Sequence, residues 1–367
     1  MTPGAVTSHP RMKEDRNCQW RVAARPGGNV KPSDFEWAET EIPQPGEGEF
    51  LLKIHYLGLA PVMRMYMQGT GAAGERPLEM GDVIHGRGVA EVMESNHPDF
   101  AVGEMVQGQC GWQTWKVSRG TARERFFKCK DYGLPFALSA GVLGMTGLSA
   151  WAGVMDCARP QKGDLAVISG AAGGVGSIAV QMLRILGCRV IGIAGGVEKC
   201  NFIQKLGCET AIDYKHEDVA ARIAELCPEG MDIYFDNVGG EILSSSLEHL
   251  AFGARVVLCG SISEYTREQP FGLTNYTRLR AVNGTMKGFF VYNYQDQFHQ
   301  CTDQLAGWIN SGELKPVQDM EQGFERMPQA LANLYEGKNV GVQCCDVRGE
   351  PDGRAATWQQ MFKGETS

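Results

Sequence analysis

The stretch Asp164–Lys199 reads DLAVISGAAGGVGSIAVQMLRILGCRVIGIAGGVEK, and its pattern decides the fold. A short apolar strand at 165–168 leads into the glycine-rich turn 170–176, an apolar helix follows, and a second strand covers 189–194. Glycines in such a turn let the backbone approach a pyrophosphate, and the N–H groups at the start of the helix can bind it. The stretch therefore predicts the opening βαβ unit of a dinucleotide-binding domain.

The end of the second strand indicates which dinucleotide is bound. NAD-binding domains usually carry Asp or Glu there, because a carboxylate accepts the ribose 2′-hydroxyl hydrogen bond. This chain has Gly195 at that position and Lys199 shortly afterwards. A carboxylate would repel a 2′-phosphate and a lysine attracts it, so the sequence predicts NADP(H).

Composition limits the classes of protein to which the chain can belong. Its 367 residues, 43% hydrophobic and 21% charged, suit a globular protein of about two domains. We find no apolar run long enough to span a membrane, and the polar segment 1–16 does not resemble a signal peptide. The net charge of −8, without a basic cluster, argues against nucleic acid as a partner.

The chain has twelve cysteines, which are scattered along it. They form no Cys-x-x-Cys pair and no Cys/His cluster with zinc-finger spacing. Several lie within apolar segments, such as Cys188 and Cys259. We therefore expect reduced, mostly buried thiols in a cytoplasmic protein.

Short strands separated by Gly and Pro fill the first third of the chain. They begin near Trp20, Glu49 and Gly88, and predict a small, bent antiparallel barrel. An apolar helix is predicted at 141–158, and strands alternate with helices after it, which favours a parallel doubly wound sheet. The later predicted elements are strands at 211–214, 231–236, 254–260 and 286–291, and helices at 218–226, 298–309 and 327–336.

These patterns predict an α/β protein of two domains. A barrel-like substrate domain is expected to comprise 17–140 and 315–367, and an NADP(H)-binding domain 141–314. Residues 1–16 are expected to form a loose N-terminal tail.

Several short motifs, taken together, resemble a known family. The chain is similar to the medium-chain dehydrogenase/reductase superfamily from about Trp20 to Val342. Within it, the chain resembles the zinc-independent branch of leukotriene B4 12-hydroxydehydrogenase, prostaglandin reductase, plant double-bond reductases and bacterial curcumin reductase. The motifs are GMTG at 144–147, AAGGVGS at 171–177, AGGVEK at 194–199, FDNVGG at 235–240, CGSISEY at 259–265, and Asn275-Tyr276 ahead of MKGF at 286–289.

The resemblance implies a GroES-like barrel joined to a Rossmann domain, and no catalytic metal. It also implies NADPH-dependent reduction of the carbon–carbon double bond of an α,β-unsaturated ketone or aldehyde. Relatives commonly pair through their nucleotide domains, so a homodimer is expected.

The resemblance further implies the residues that contact the cofactor. Lys199 and Tyr214 match the residues that hold the 2′-phosphate in the family. The other implied cofactor residues are Met145, Thr146, Gly170, Gly173, Gly174, Val175, Gly176, Gly195, Asn237, Cys259, Ser261, Ile262, Ser263, Phe289, Val291 and Asn339.

The resemblance implies little side-chain chemistry, because the cofactor supplies the hydride. Negative charge develops on the carbonyl oxygen of the substrate, where a hydroxyl donor stabilises it. We expect Tyr265 to provide a hydroxyl there, beside Val62, Met63 and Arg64 in the substrate pocket. Val62 replaces a family tyrosine and Thr146 a family proline, so we expect an altered pocket.

Three other functions remain open at the level of sequence. A zinc alcohol dehydrogenase of the same superfamily would need a catalytic cysteine where the chain has Ala60–Val62, and a glutamate directly after His85. A quinone reductase shares both fold and cofactor, and differs only in the branch motifs. A non-catalytic NADPH-binding protein is the third alternative. Its support is Val62, because loss of the family tyrosine at this position is consistent with lost catalysis.

Overall fold

The computed structural model describes residues 11–69 and 74–349. Most of the predicted tail 1–16 and the end of the segment 315–367 thus lie outside the described residues. The strands are β1 (Asn17–Val22), β2 (Phe35–Thr40), β3 (Phe50–Gly58), β4 (Arg87–Ser95), β5 (Met105–Gln109), β6 (Trp115–Ser118), β7 (Phe127–Lys128), β8 (Leu165–Ser169), β9 (Arg189–Ala194), β10 (Thr210–Asp213), β11 (Met231–Asp236), β12 (Leu250–Leu258), β13 (Thr285–Gly288), β14 (Gln318–Gln322) and β15 (Val342–Asp346).

Helices and shorter turns connect these strands. The α-helices are α1 (Met63–Tyr66), α2 (Met145–Ala152), α3 (Gly174–Ile185), α4 (Val197–Lys205), α5 (Val219–Leu226), α6 (Gly240–Leu247), α7 (Arg278–Ala281), α8 (Phe298–Asn310) and α9 (Met327–Tyr335). Pro32–Asp34, Phe136–Ala140, Val291–Gln297 and Phe324–Arg326 are 3₁₀ turns, and Gly153–Ala158 is a π-helix.

The described chain divides into two compact units. The first holds the residues up to Lys130, Met320–Tyr335 and those from Cys344 onwards, and the second holds Asp131–Asp319 and Glu336–Gln343. The predicted domain limits differ from these units by several residues and stay a prediction. No described helix has both the length and the apolar character needed to cross a membrane.

The first unit is built on antiparallel sheet. Six strands follow the order β14-β15-β3-β4-β5-β7, β6 also pairs with β3, and β1 and β2 form a separate pair. The register between β3 and β4 shifts twice, between Leu51 and Leu52 and between Ile54 and Tyr56. Such bulges bend a strand and increase its twist. The alternate residues Phe50, Leu52 and Ile54 are fully buried, as expected for a sheet that covers a core.

The second unit is a parallel sheet with the order β10-β9-β8-β11-β12-β13. The chain moves outward from β8 to β10 and then returns to β11 beside β8. The carboxyl ends of β8 and β11 are therefore the switch point, where open α/β sheets bind their ligands. The predicted fold class, an antiparallel barrel-like domain and a Rossmann domain, is confirmed.

Three predicted elements differ from the structure. The strand predicted at 254–260 is β12, which spans Leu250–Leu258. Residues 141–158 are not one helix, because α2 begins only at Met145 and the π-helix follows it. Val142 and Leu143 are almost fully buried without being helical, and periodicity alone cannot tell such a run from a helix. The strand predicted at 286–291 spans only Thr285–Gly288, since the chain turns into a 3₁₀ segment at Val291.

Candidate functional site

The glycine-rich turn joins β8 to α3 at the switch point. Gly170 has φ of +60°, a left-handed conformation that favours glycine, and Gly173 begins α3 as its N-cap. A Cβ atom on Gly176 would fall on the carbonyl oxygen of Gly170. Only glycine fits there, and the N–H groups of the first helical turn, which have no partner within the helix, stay accessible to an anion.

The end of β9 packs directly against the end of β10 and the residue that follows it. A Cβ atom on Gly195 would lie 2.7 Å from the Tyr214 ring, so the aromatic ring occupies the space that a side chain would need. The Asp213 carboxylate accepts hydrogen bonds from the backbone N–H groups of Gly196, at 2.7 Å, and Lys215, at 3.0 Å. These contacts hold Tyr214, which is 47% exposed, beside the glycine pair.

Lys199 extends from α4 toward the same strand ends. Its Nζ atom donates to the carbonyl oxygen of Gly337 at 2.7 Å. Burial and the positive charge of Lys215 lower the pKa of Lys199, while Asp319 opposes that shift. Two lysines and a tyrosine hydroxyl at one strand end suit a phosphate dianion. Lys215 was missed by the sequence reasoning, although it directly follows Tyr214.

Asn339 lies in a segment that contacts the glycine-rich turn. The Gly341 N–H donates to the Ala172 carbonyl oxygen at 2.8 Å. The Asn339 side-chain amide donates to the carbonyl oxygen of Gly341 at 3.2 Å. Asn339 is thus placed near the turn although the two are far apart in sequence.

Asn237 follows β11 at the switch point. Its side-chain amide donates to the Ser169 carbonyl oxygen at 2.8 Å, and its backbone N–H donates to the Ser169 Oγ atom at 2.9 Å. The Cβ atom of Asn237 lies 3.3 Å from the Cβ position of Gly170. Asn237 therefore borders the glycine-rich turn, and its contact with the cofactor stays a prediction.

The segment after β12 carries the predicted catalytic tyrosine. Ser263 Oγ donates to the Val238 carbonyl oxygen at 2.6 Å, and Ile262 N–H donates to the Asn237 carbonyl oxygen at 3.4 Å. Burial raises the pKa of the Cys259 thiol to about 12. Tyr265 is half-buried.

The Tyr265 hydroxyl forms hydrogen bonds with Ser261. These bonds oppose the effect of burial, which raises the pKa of Tyr265 above its ordinary value. The hydroxyl therefore keeps its proton at neutral pH and can act as a hydrogen-bond donor.

The remaining predicted cofactor residues lie in the same unit. Thr146 Cγ2 lies 3.4 Å from the Cβ position of Gly174. Phe289 meets Tyr294 edge-to-face, with ring centroids 6.0 Å apart. Val291 and Met145 are half-buried, each at the start of a helical segment.

The predicted substrate residues Val62, Met63 and Arg64 belong to the first unit. Val62 is half-buried and precedes α1, and the Met63 side chain is almost fully buried. The Arg64 guanidinium donates to the carbonyl oxygens of Gly28, at 2.7 Å, and Pro26, at 3.1 Å. Arg64 therefore fixes a loop of its own unit, and its role toward substrate stays a prediction.

His85 was the only predicted counterpart of a zinc ligand. Its Nε2 atom lies 3.1 Å from the Arg76 carbonyl oxygen, and its ring meets Tyr66 edge-to-face at 5.4 Å. Across residues 11–69 and 74–349, no group of three or more His, Cys, Asp or Glu side chains is arranged to hold a metal ion.

Comparison with known proteins places this architecture in a family. Residues 18–126 match a family model described as the N-terminal domain of oxidoreductase, and residues 174–307 match one described as zinc-binding dehydrogenase. The chain is 34% identical to the NADPH-dependent curcumin reductase of Escherichia coli, over 92% of this chain and 99% of that protein. It is also 34% identical to a 2-alkenal reductase (NADP(+)-dependent) of Nicotiana tabacum, over 88% of this chain and 96% of that protein.

Solved structures show the same similarity. CurA from Vibrio vulnificus in complex with NADPH superposes with a TM-score of 0.83 at 35% identity, covering 90% of this chain and 99% of that one. The two units, the glycine-rich turn and the similarity over nearly the whole chain all point to the same family. The chain therefore belongs to the medium-chain dehydrogenase/reductase superfamily, in the zinc-independent branch that contains these reductases.

Proposed function

We propose that the protein is an NADPH-dependent reductase that transfers hydride to the β-carbon of an α,β-unsaturated ketone or aldehyde. The observation that carries the proposal is the strand-end site of Gly195, Tyr214 and Lys199 in a chain that is full-length similar to reductases of this kind. A (+)-pulegone reductase of Mentha piperita, 33% identical over 88% of this chain, adds support.

The described residues fit a dinucleotide. Gly176 lets the turn close on the Gly170 carbonyl oxygen, where a Cβ atom would not fit, and the start of α3 would offer N–H groups to a pyrophosphate. Lys199, Lys215 and Tyr214 would hold the 2′-phosphate, because two ammonium groups and a hydroxyl match its charge and acceptors. When bound, NADPH supplies the hydride from its nicotinamide ring.

The chain's own residues would orient the reactants and stabilise charge. Cys259, Ser261 and Ser263 follow the carboxyl end of β12, where the nicotinamide half is proposed to bind. The Tyr265 hydroxyl, protonated at neutral pH, would donate to the carbonyl oxygen of the substrate as the enolate forms. The α-carbon would then take its proton from solvent or a relayed hydroxyl.

Deuterium transfer tests the reaction. The protein is incubated with an enone and NADPH that carries deuterium at nicotinamide C4, and the product is analysed by NMR. We expect label only at the β-carbon of a saturated ketone. Label on the carbonyl carbon of an allylic alcohol would contradict the proposal and favour a carbonyl reductase.

Quinone reduction is the alternative that a comparison favours. A quinone oxidoreductase of Pseudomonas syringae superposes with a TM-score of 0.73 at 25% identity, covering 90% of this chain. Matched assays of NADPH oxidation with enones, enals and quinones separate the two functions. A higher kcat/KM for quinones than for any enone would favour this alternative.

We also propose that the protein is a cytoplasmic homodimer that pairs through β13. This strand lies at one end of the parallel sheet, and edge strands offer unpaired N–H and carbonyl groups to a second copy. Phe290, which follows the strand, is 41% exposed. Analytical ultracentrifugation should give twice the chain mass of 40.1 kDa. Cell fractionation tests the compartment.

A further inference from the structure

The Asp236 carboxylate is buried at the switch point of the parallel sheet, with 1% of the residue exposed. It accepts hydrogen bonds from Ser169 Oγ at 2.8 Å and from the Tyr234 hydroxyl at 3.1 Å. It also accepts from the backbone N–H groups of Val238, at 3.2 Å, and Gly239, at 3.0 Å. One side chain thus binds the end of β8 and the turn that follows β11.

The backbone of Asp236 extends the same connection to a third strand. Its carbonyl oxygen accepts from the N–H groups of Cys259, at 2.9 Å, and Gly260, at 3.1 Å. Ser169 Oγ, which donates to the carboxylate, accepts from the N–H of Asn237 at 2.9 Å. The ends of β8, β11 and β12 are therefore joined around Asp236.

Each of these three strand ends leads into a segment that is proposed to bind the cofactor. β8 leads into the turn at 170–176, β11 leads into Asn237, and β12 leads into 259–263. A shift of one segment would change its distance to the other two. Cofactor affinity is sensitive to such shifts, because a preordered site binds more tightly than one whose contacting segments must first move into place.

Asp236 Oδ1 accepts from all four donors, and Oδ2 accepts only from the Gly239 N–H, at 3.0 Å. An asparagine with its oxygen at the Oδ1 position would keep those contacts but turn its NH₂ group toward the Gly239 N–H. A buried NH₂ group that faces another donor and has no acceptor is costly, so the turn at Gly239 would move. Burial raises the pKa of Asp236, while its hydrogen bonds with Gly239, Ser169, Val238 and Tyr234 oppose that shift.

We propose that Asp236 is the positioning residue of the dinucleotide site, setting the relative placement of the three cofactor-binding segments without contacting substrate. This inference rests on the proposed function, since it concerns the same site. It makes Asp236 different from Lys199, which would act only on the 2′-phosphate. Loss of the Asp236 carboxylate should weaken the binding of NADPH and the binding of NADH by the same factor.

The test compares Asp236→Asn with Asp232→Asn. Asp232 belongs to the same strand and also ties β11 to β8, because its Oδ2 atom accepts from the Leu165 N–H at 2.9 Å. It lies four residues earlier along β11, toward the amino end of the strand and away from the turn. The control thus repeats the chemical change and the inter-strand contact at the wrong end of the strand.

Dissociation constants for NADPH and NADH are measured by titration, together with melting temperature and enone reduction. For Asp236→Asn we expect both constants to rise about tenfold, as for loss of charge-assisted hydrogen bonds, with kcat at saturating NADPH within about twofold of the parent. For Asp232→Asn we expect a lower melting temperature and cofactor affinities within about twofold of the parent.

The outcomes separate this inference from the proposed function. A parent protein that fails to bind NADPH or to reduce any enone overturns the function. A functional parent whose Asp236→Asn variant binds both cofactors as tightly as Asp232→Asn does overturns the inference. Should Asp236→Asn not fold, Ser169→Ala removes one donor to the carboxylate, together with the acceptor of the Asn237 N–H. It should raise both dissociation constants by a smaller common factor, and unchanged constants would again overturn the inference.

Discussion

Lys199 decides between NADPH and NADH in the proposed site. A charge-assisted contact to phosphate contributes about 1.5–3 kcal/mol, so Lys199→Ala should raise the KM for NADPH tenfold or more. The KM for NADH should hardly change, because NADH has no 2′-phosphate. Lys205→Ala, an exposed lysine on the same helix, is the control. Equal effects of Lys199→Ala on both cofactors would show that Lys199 does not contact the 2′-phosphate.

Tyr265 is the residue on which turnover should depend. Tyr265→Phe removes the hydroxyl that Ser261 holds, and losing one oxyanion donor can cost on the order of a hundredfold in rate. We expect a smaller fall in kcat, of about tenfold, because a ribose hydroxyl can share the role. The dissociation constant for NADPH should stay unchanged. Tyr276→Phe, at a tyrosine that is 61% exposed, is the control, and an equal kcat in both variants would refute the role.

The resemblance implies that Val62 stands where the family has a tyrosine, and we predict that it sets the choice of substrate. Val62→Tyr adds bulk and a hydroxyl that seeks a partner when buried. We expect the kcat/KM values to shift toward slimmer or more polar enones, while NADPH affinity is unaffected. A panel of enones of graded width measures this. Identical substrate profiles for parent and variant would mean that Val62 does not line the pocket.

Among the secondary-structure elements, the β8–α3 turn tolerates the least change. In Gly176→Ala the new methyl group would collide with the backbone carbonyl of Gly170, so we expect a loss of about 1–3 kcal/mol in unfolding free energy and weaker cofactor binding. In Gly307→Ala, within α8, the new methyl group has no neighbour within 4 Å. We expect this variant to gain about 0.5–1 kcal/mol in unfolding free energy, because alanine is favoured over glycine inside a helix. Urea unfolding of both variants measures the difference. Equal stabilities would contradict the predicted collision.

The stability of the whole molecule should fall in mild acid because of His55. Burial, Arg348 and Lys53 lower its pKa from 6.5 to about 4, while Asp346 opposes that shift. The Glu91 carboxylate, 3.5 Å from Nε2, also favours the proton, but its side chain is 36% exposed and solvent screens the pair. The folded state thus disfavours the proton. His55 contributes stability above its unfolded pKa, and that contribution is lost as the pH falls from 6.5 toward 4.

The loss should reach about 3 kcal/mol at most, because each unit of difference between the folded and unfolded pKa corresponds to about 1.4 kcal/mol. Urea unfolding between pH 7 and pH 4.5 measures it against His55→Gln, which cannot titrate. The parent should lose stability more steeply than the variant over this range. Parallel pH profiles would show that His55 does not carry the effect.

The family and the Rossmann unit could be predicted because their signals are local. The strand, turn and helix at 165–185 follow one another along the chain, and the glycine at 176 is required by a contact with residue 170 in the same turn. The predicted strand 189–194 agrees with β9. The spacing of apolar residues and the residues that a turn requires both lie within a few positions of one another. Sequence alone therefore determined the fold class and the family.

Only the tertiary structure decided which residues connect one secondary-structure element to another. Ser169 and Asp236 are 67 residues apart, and Lys199 and Gly337 are 138 apart, yet each pair is hydrogen-bonded. Asp236 was predicted only as the end of a strand, because a sequence pattern shows which residues are buried but not which strand end becomes the neighbour. The start of the predicted helix 141–158 also depended on packing, since burial of Val142 and Leu143 satisfies an apolar run without a helix. Hydrogen-bond partners distant in the chain exist only once the parallel strands are paired, and that pairing is a property of the folded molecule.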